Sequence, residues 1–176
     1  MTDFNKVLTP GDVDNGFVNV VVEIPTGGTN KVEWDREKAL FKVDRVEPII
    51  FAKPINYGFI PQTIDEDGDE LDALIFTDCP LPMGVYLEAK VIGVLRFEDD
   101  GEVDDKILVV PADDRCTGNA INKLSDIPQQ KLDQIAHHFD HYKDLKKPGT
   151  TFVKHWGDEV EAKTVIHESI KRWNDK

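Results

Sequence analysis

The chain has 176 residues, enough for one domain with a real core and short for two. Hydrophobic residues make up 40% and charged residues 31%, an ordinary balance for a globular protein, but 34 acidic against 21 basic residues leave a net charge of −13. That charge disfavours a bare nucleic-acid or anionic-membrane binder, because neutralising phosphate needs Lys and Arg. Cys79 and Cys116 lie far apart with no CxxC, which argues against a disulfide framework or a thiolate zinc site.

The opening run MTDFNKVLTPGD has neither a basic leader nor an apolar stretch of signal-peptide length, and no later apolar run is long enough to cross a membrane. The expectation is a cytoplasmic protein with two reduced thiols, built as a single domain over 1–176. FVNVVVEIP (17–25) is rich in β-branched residues and stops at a Pro, so it reads as a strand. TGGTN reads as a turn. KVEW, ALFKVDRV, DALIF, VYLEAKVIGVLRF and KILVVPA follow as strand candidates. Short strands between turn signals suggest a small antiparallel barrel or sandwich. The last third changes period. Leu132, Ile135, Phe139 and Tyr142 recur at three- and four-residue steps, predicting an amphipathic helix over 128–145 with Pro128 near its start. KKPGT breaks it, and Ala162, Val165, Ile166, Ile170 and Trp173 mark a second helix from Asp158. The class is α+β: a barrel with two C-terminal helices packed on it.

The chemistry gathers in DEDGDELDAL (65–74), an acidic run between two apolar stretches. It fails as an EF-hand calcium loop. Counted from Asp65, the required Gly is Glu70 and the closing Glu is Phe76; counted from Asp67, a ligand position falls on Leu71. In an extended strand Asp67 and Asp69 would share a face and Asp72 would point away, unless the chain bends at Gly68. A bend would let several carboxylates surround a hard divalent cation such as Mg²⁺, which takes few carboxylates, keeps waters and bridges to phosphate. A solvated turn is the competing account. Three further features are bland alone. RFEDDGEVDDK carries Asp99, Asp100, Asp104 and Asp105 before Lys106, and its DDG suits a hairpin tip. Glu23 and Glu33 flank a Gly-rich turn beside Lys31. Arg45, Tyr57, Tyr142 and Lys143 are the residue types that hold phosphate, although Tyr142 lies on the apolar face of its helix.

Taken in order, VVVEIP, KVE, VDR, PINYGFIP, DGDELD, VIGVL, DD…DDK and HHFDHYKDL resemble the soluble inorganic pyrophosphatases of the first family, in their short bacterial form. The resemblance covers about 17–173, and DGDELD is its most specific part. It implies an OB-like five-stranded β-barrel with flanking helices and Mg²⁺-dependent hydrolysis of pyrophosphate to two orthophosphates by a metal-activated water. It implies several Mg²⁺ ions per site, no organic cofactor, and a homohexamer. By resemblance Asp67, Asp72 and Asp104 are metal ligands, Asp99 joins Asp104 at a further ion, and Glu23 and Glu33 lie near another. Asp69 helps to activate the attacking water. Lys31, Arg45, Tyr57, Lys106, Tyr142 and Lys143 match the substrate-binding groups. Asp65, Glu66 and Glu70 are expected to be a solvated flank of the acidic run. The chain departs from the family at Lys53, where Tyr is common, at Asp100, where Glu is common, and at Val32, where an aromatic residue is frequent. Lys53 is expected either to add a phosphate contact or to offset nearby carboxylates. A nucleotide-directed metal-dependent phosphohydrolase, a non-catalytic OB-type binding module and a degenerate family member are the competing readings. The second would need a basic, aromatic groove.

Overall fold

The computed structural model describes residues 3–176. Its elements in chain order are α1 (Phe4–Val7), β1 (Phe17–Ile24), β2 (Asn30–Asp35), β3 (Leu40–Val46), β4 (Asn56–Phe59), β5 (Asp72–Ile75), β6 (Tyr86–Asp99), β7 (Glu102–Val103), β8 (Lys106–Pro111), α2 (Gln129–His141), β9 (Thr151–Gly157) and α3 (Glu159–Asn174). The pairings β1–β4, β4–β5, β5–β8, β8–β6 and β6–β1 join five strands into a ring. The expected α+β class and five-stranded OB-like ring are present. The ring is mixed rather than purely antiparallel, because β5 and β8 run parallel. It is not a clean barrel either, since β6 also carries β7 and β9. The strands β2 and β3, read from the sequence with the others, form a hairpin outside the ring.

β6 is long enough to serve β1, β8, β7 and β9 because it bends. Its register slips between Val91 and Gly93 against β8, and between Arg96 and Phe97 against β9, and such irregularities coil a strand. β4 passes so close to β1 that a Cβ on Gly58 would lie 1.9 Å from the Val21 carbonyl oxygen, so only glycine fits there. Strands β5 and β8 bury both faces. Ala73, Ile75, Ile107 and Val109 pack with Ala162, Val165 and Ile166 of α3 on one side. Leu74, Leu108 and Val110 pack with Leu132, Ile135 and Phe139 of α2 on the other. Burial on both faces is why these strands read as unbroken apolar runs.

The helices start where expected. Asp158 caps α3, its carboxylate accepting from the Val160 and Glu161 amides at 3.0 Å each. α2 stops at His141 rather than continuing to 145, and Tyr142 is its C-cap. The strands β4 and β9 were not anticipated. NYGF is four residues with a glycine inside it, and TFVKHWG is an edge strand whose Lys154 and His155 are exposed, so neither shows a clear alternation. No described helix is long and apolar enough to cross a membrane.

Candidate active site

The acidic run folds as a turn. The Asp65 amide donates to the Asp69 carbonyl at 2.8 Å and the Gly68 amide to the Asp65 carbonyl at 3.1 Å, while Gly68 adopts φ +93°. That value lies in the region glycine enters without steric cost, so the bend expected at Gly68 is present. After the turn, β5 begins at Asp72 and pairs in register with β8, placing Asp72 beside Lys106. The Lys106 ammonium lies 2.7 Å from carboxylate oxygens of both Asp72 and Asp104. At the far end of β6, the DDG segment forms the expected hairpin tip, with Asp100 and Gly101 both at positive φ. Asp99, just before that tip, accepts from the Tyr142 hydroxyl at 2.5 Å and pairs with Lys143. Glu23 sits where the β1–β4 register slips between Val22 and Ile24, and a bulge of this kind re-aims a side chain. Its carboxylate accepts from the Trp34 amide at 2.6 Å.

These segments converge on one cleft of about 170 Å³. Its walls carry every site residue expected from the sequence: Asp67, Asp69, Asp72, Asp99, Asp104, Glu23 and Glu33 on the acidic side of the inventory, and Lys31, Arg45, Tyr57, Lys106, Tyr142 and Lys143 as donors. Lys31 and Arg45 are cross-strand partners in the β2–β3 hairpin, which carries them to the cleft together. Tyr142 is both a core residue, as its place in the helical pattern suggested, and a donor at the cleft wall. Trp34, Phe59, Glu70 and Phe139 also line the cleft and were outside the expected site. Lys53, expected from the sequence to meet phosphate or to offset carboxylates, lines the cleft as well.

Burial and crowding shift the titrating groups. Burial raises Asp67 to about 6, and raises Asp69 with help from Glu70 and Glu33. Burial takes Glu23 up to about 8, against the pull of Lys31. Asp72 is half-buried, but Lys106 and Lys31 outweigh the loss of solvent and hold it below the usual carboxylate range. Asp104 is raised by burial despite Lys106. Burial and the neighbouring Asp72 lift the Tyr57 phenol, which donates to Asp72.

Among the described residues no three carboxylates, imidazoles or thiolates stand close enough to cage one ion. Lys106 stands between Asp72 and Asp104, and Lys143 holds Asp99. The donor set is nevertheless that of a hard cation: carboxylate oxygens only, with no imidazole or thiolate on the cleft wall. Mg²⁺ binds through one or two carboxylates, keeps its waters and completes its shell with substrate phosphates. These residues fit it in that mode.

One expectation fails. Asp65 and Glu70 are not a solvated flank: they are 4% and 7% exposed. Glu70 accepts a two-pronged contact from Arg36, at 2.7 and 2.9 Å, and a bond from the Asn5 amide nitrogen at 2.7 Å. Arg36 also donates to the Gly68 carbonyl at 3.2 Å. Asp65 accepts from the Asp105 amide at 3.2 Å and lies 3.5 Å from Arg172. Only Glu66, paired with Arg172 at 3.1 Å, has an exposed side chain. Arginines from distant segments bury these acids, and a local reading of the run has no signal for such partners.

The family model for inorganic pyrophosphatase matches residues 20–174. The chain is 68% identical to an inorganic pyrophosphatase of Neisseria meningitidis serogroup B, covering 99% of this chain and 98% of that one. It is 67% identical to an inorganic pyrophosphatase of Haemophilus influenzae over the full length of both. The fold superposes on the crystal structure of an inorganic pyrophosphatase from Neisseria gonorrhoeae with a TM-score of 0.96 and 67% identity, covering 98% of this chain and 99% of that one. With the fold, the acidic motif and relatives of this likeness in agreement, the chain belongs to the inorganic pyrophosphatase family.

Proposed function

We propose that this protein is an inorganic diphosphatase that hydrolyses pyrophosphate to two orthophosphates, using several Mg²⁺ ions at the cleft. The observation that carries the reading is one small cleft lined by both a carboxylate set suited to Mg²⁺ and a set of Lys, Arg and Tyr donors suited to phosphate. A chain of net charge −13 does not take up so anionic a substrate unaided. Asp67, Asp72 and Asp104 would hold the more tightly bound ions, each ion through one or two of them, with Asp99 and Asp104 at a further ion and Glu23 and Glu33 near another. When bound, Mg²⁺ supplies the positive charge and Lewis acidity that neutralise the diphosphate and acidify water.

The chain's own residues do the rest. Asp69 orients the attacking water and accepts its proton, and its raised pKa brings it nearer the working pH of a base. Lys31, Arg45, Tyr57, Tyr142 and Lys143 hold the phosphoryl groups in line and stabilise charge on the departing phosphate. Lys106, kept protonated because Asp104 and Asp72 outweigh its burial, fixes Asp72 and Asp104 and adds positive charge at the cleft floor. The protein acts in the cytoplasm as one domain, assembles as a homohexamer, and binds neither nucleic acid nor membrane.

Phosphate release tests this. With pyrophosphate and Mg²⁺ the rate is expected to be high, to vanish with EDTA, and to be far lower with ATP. Equal turnover of ATP would favour a nucleotide phosphohydrolase, and no release from either would reduce the chain to a non-catalytic relative.

A further inference from the structure

Lys53 precedes β4 and is 9% exposed. Its ammonium lies 4.8 Å from the ring centre of Tyr57, 5.0 Å from Phe139 and 5.1 Å from Tyr142. Every other cation of the cleft faces an acid. Lys31 has Glu33 at 3.6 Å, Arg45 has Glu47, Lys106 has Asp72 and Asp104, and Lys143 has Asp99. Among the described residues Lys53 has no such partner, only ring faces, whose attraction is weaker than that of a carboxylate. Burial, and then Lys31 and Lys106, bring its pKa down to about 7.

A buried ammonium without a counter-charge is costly, and an arrangement of this kind persists where an anion arrives to meet it. Among the described residues no carboxylate lies within ion-pair distance of Lys53, and Asp72 attracts it only from farther off. A narrow space beside Lys53 is lined by the phosphate-type donors Lys31, Arg45 and Tyr142, and by Glu47, which pairs with Arg45; the three donors also line the cleft itself. We infer that Lys53 is a further substrate-binding residue, taking up one phosphoryl group of the diphosphate at this basic end of the cleft, beside Lys31, Arg45 and Tyr142. The inference rests on the pyrophosphatase reading above. Because the anion arrives only with substrate, the relief of the unpaired charge contributes to binding rather than to folding. The same contact persists on product orthophosphate.

The test compares wild type with Lys53→Met, Lys53→Gln and Lys53→Arg, by phosphate-release kinetics, inhibition by added orthophosphate, and thermal unfolding. Losing one charge-assisted contact raises KM for Mg²⁺-pyrophosphate about tenfold or more in the Met and Gln variants, and weakens orthophosphate inhibition to a similar degree. Their melting temperature equals or exceeds that of wild type, since an unpaired buried charge is gone. Lys53→Arg keeps most of the affinity. Should the Met variant not fold, the Gln variant carries the same comparison. Unchanged KM and unchanged orthophosphate inhibition in an active enzyme would overturn this inference alone, as would a fall in melting temperature with KM unaltered. A wild type that releases no phosphate would instead sink the pyrophosphatase reading, and this inference with it.

Discussion

Two sets of carboxylates come from the same acidic run and its neighbour, and they are partnered differently. Glu70, Asp65 and Asp105 meet arginines: Arg36, Arg172 and Arg96. Asp72, Asp104 and Asp99 meet lysines: Lys106 and Lys143. A guanidinium forks onto a carboxylate and fixes its plane, as Arg36 does on Glu70 while also holding the Gly68 carbonyl. An ammonium is a point charge on a flexible stem, and a cation or a phosphate can take its place or draw it away. The arginine-held acids brace the turn. The lysine-held acids line the cleft. The contrast teaches that acids of one run differ in partner and in exposure: the arginine-held set is nearly sealed off and the lysine-held set is half-buried.

The largest expected effect lies in the cleft. Replacing Asp69 by Asn removes the proton acceptor and lowers kcat by about 10²–10⁴-fold, with the melting temperature nearly unchanged, as paired kinetics and thermal unfolding would show. Full activity in that variant would break the assignment. In the bracing set the effect moves to stability. Glu70→Gln removes the charge facing Arg36 and costs about 1–3 kcal/mol, read from denaturant unfolding, with metal dependence retained. Gly68→Ala has open space for its Cβ but must hold φ +93°, so it costs about 1–2 kcal/mol and slows turnover only modestly.

A finer effect separates the sets by pH. Asp67, Asp65 and Glu23 are raised to about 6, 7 and 8. An acid with a raised folded pKa holds its proton more tightly when folded, so its contribution is fully present below the unfolded value and fades as pH rises through the folded one. In EDTA the melting temperature is therefore expected to decline from about pH 4 to pH 8. Mg²⁺ should remove the part due to Asp67 and Glu23 and leave the part due to Asp65. A decline that Mg²⁺ does not touch would count against metal at the cleft.

Much of this was legible in the sequence because it is local or patterned. The β-branched runs of β1, β6 and β8, the helical period of α2 and α3, and the spacing of DGDELD all carry their meaning within a short window. The ring closure and the parallel β5–β8 pair were not legible, because they depend on which distant strands meet. The two roles of the acidic run were hidden for the same reason. Arg36, Arg96 and Arg172 come from the β2–β3 turn, β6 and α3, and nothing near Asp65 or Glu70 announces them. Lys53 was visible as an odd residue, but its cage is assembled from β4 and α2, and only the fold brings these to it.

The central claim is that, of the ion-paired cleft acids, the lysine-held Asp72, Asp99 and Asp104 bind the metal and the arginine-held Glu70 does not. Calorimetric titration of Mg²⁺ into wild type, Asp72→Asn and Glu70→Gln tests it directly. The expected result is tight Mg²⁺ uptake by wild type and Glu70→Gln, and its loss in Asp72→Asn. Equal Mg²⁺ affinity in the two variants would contradict the distinction.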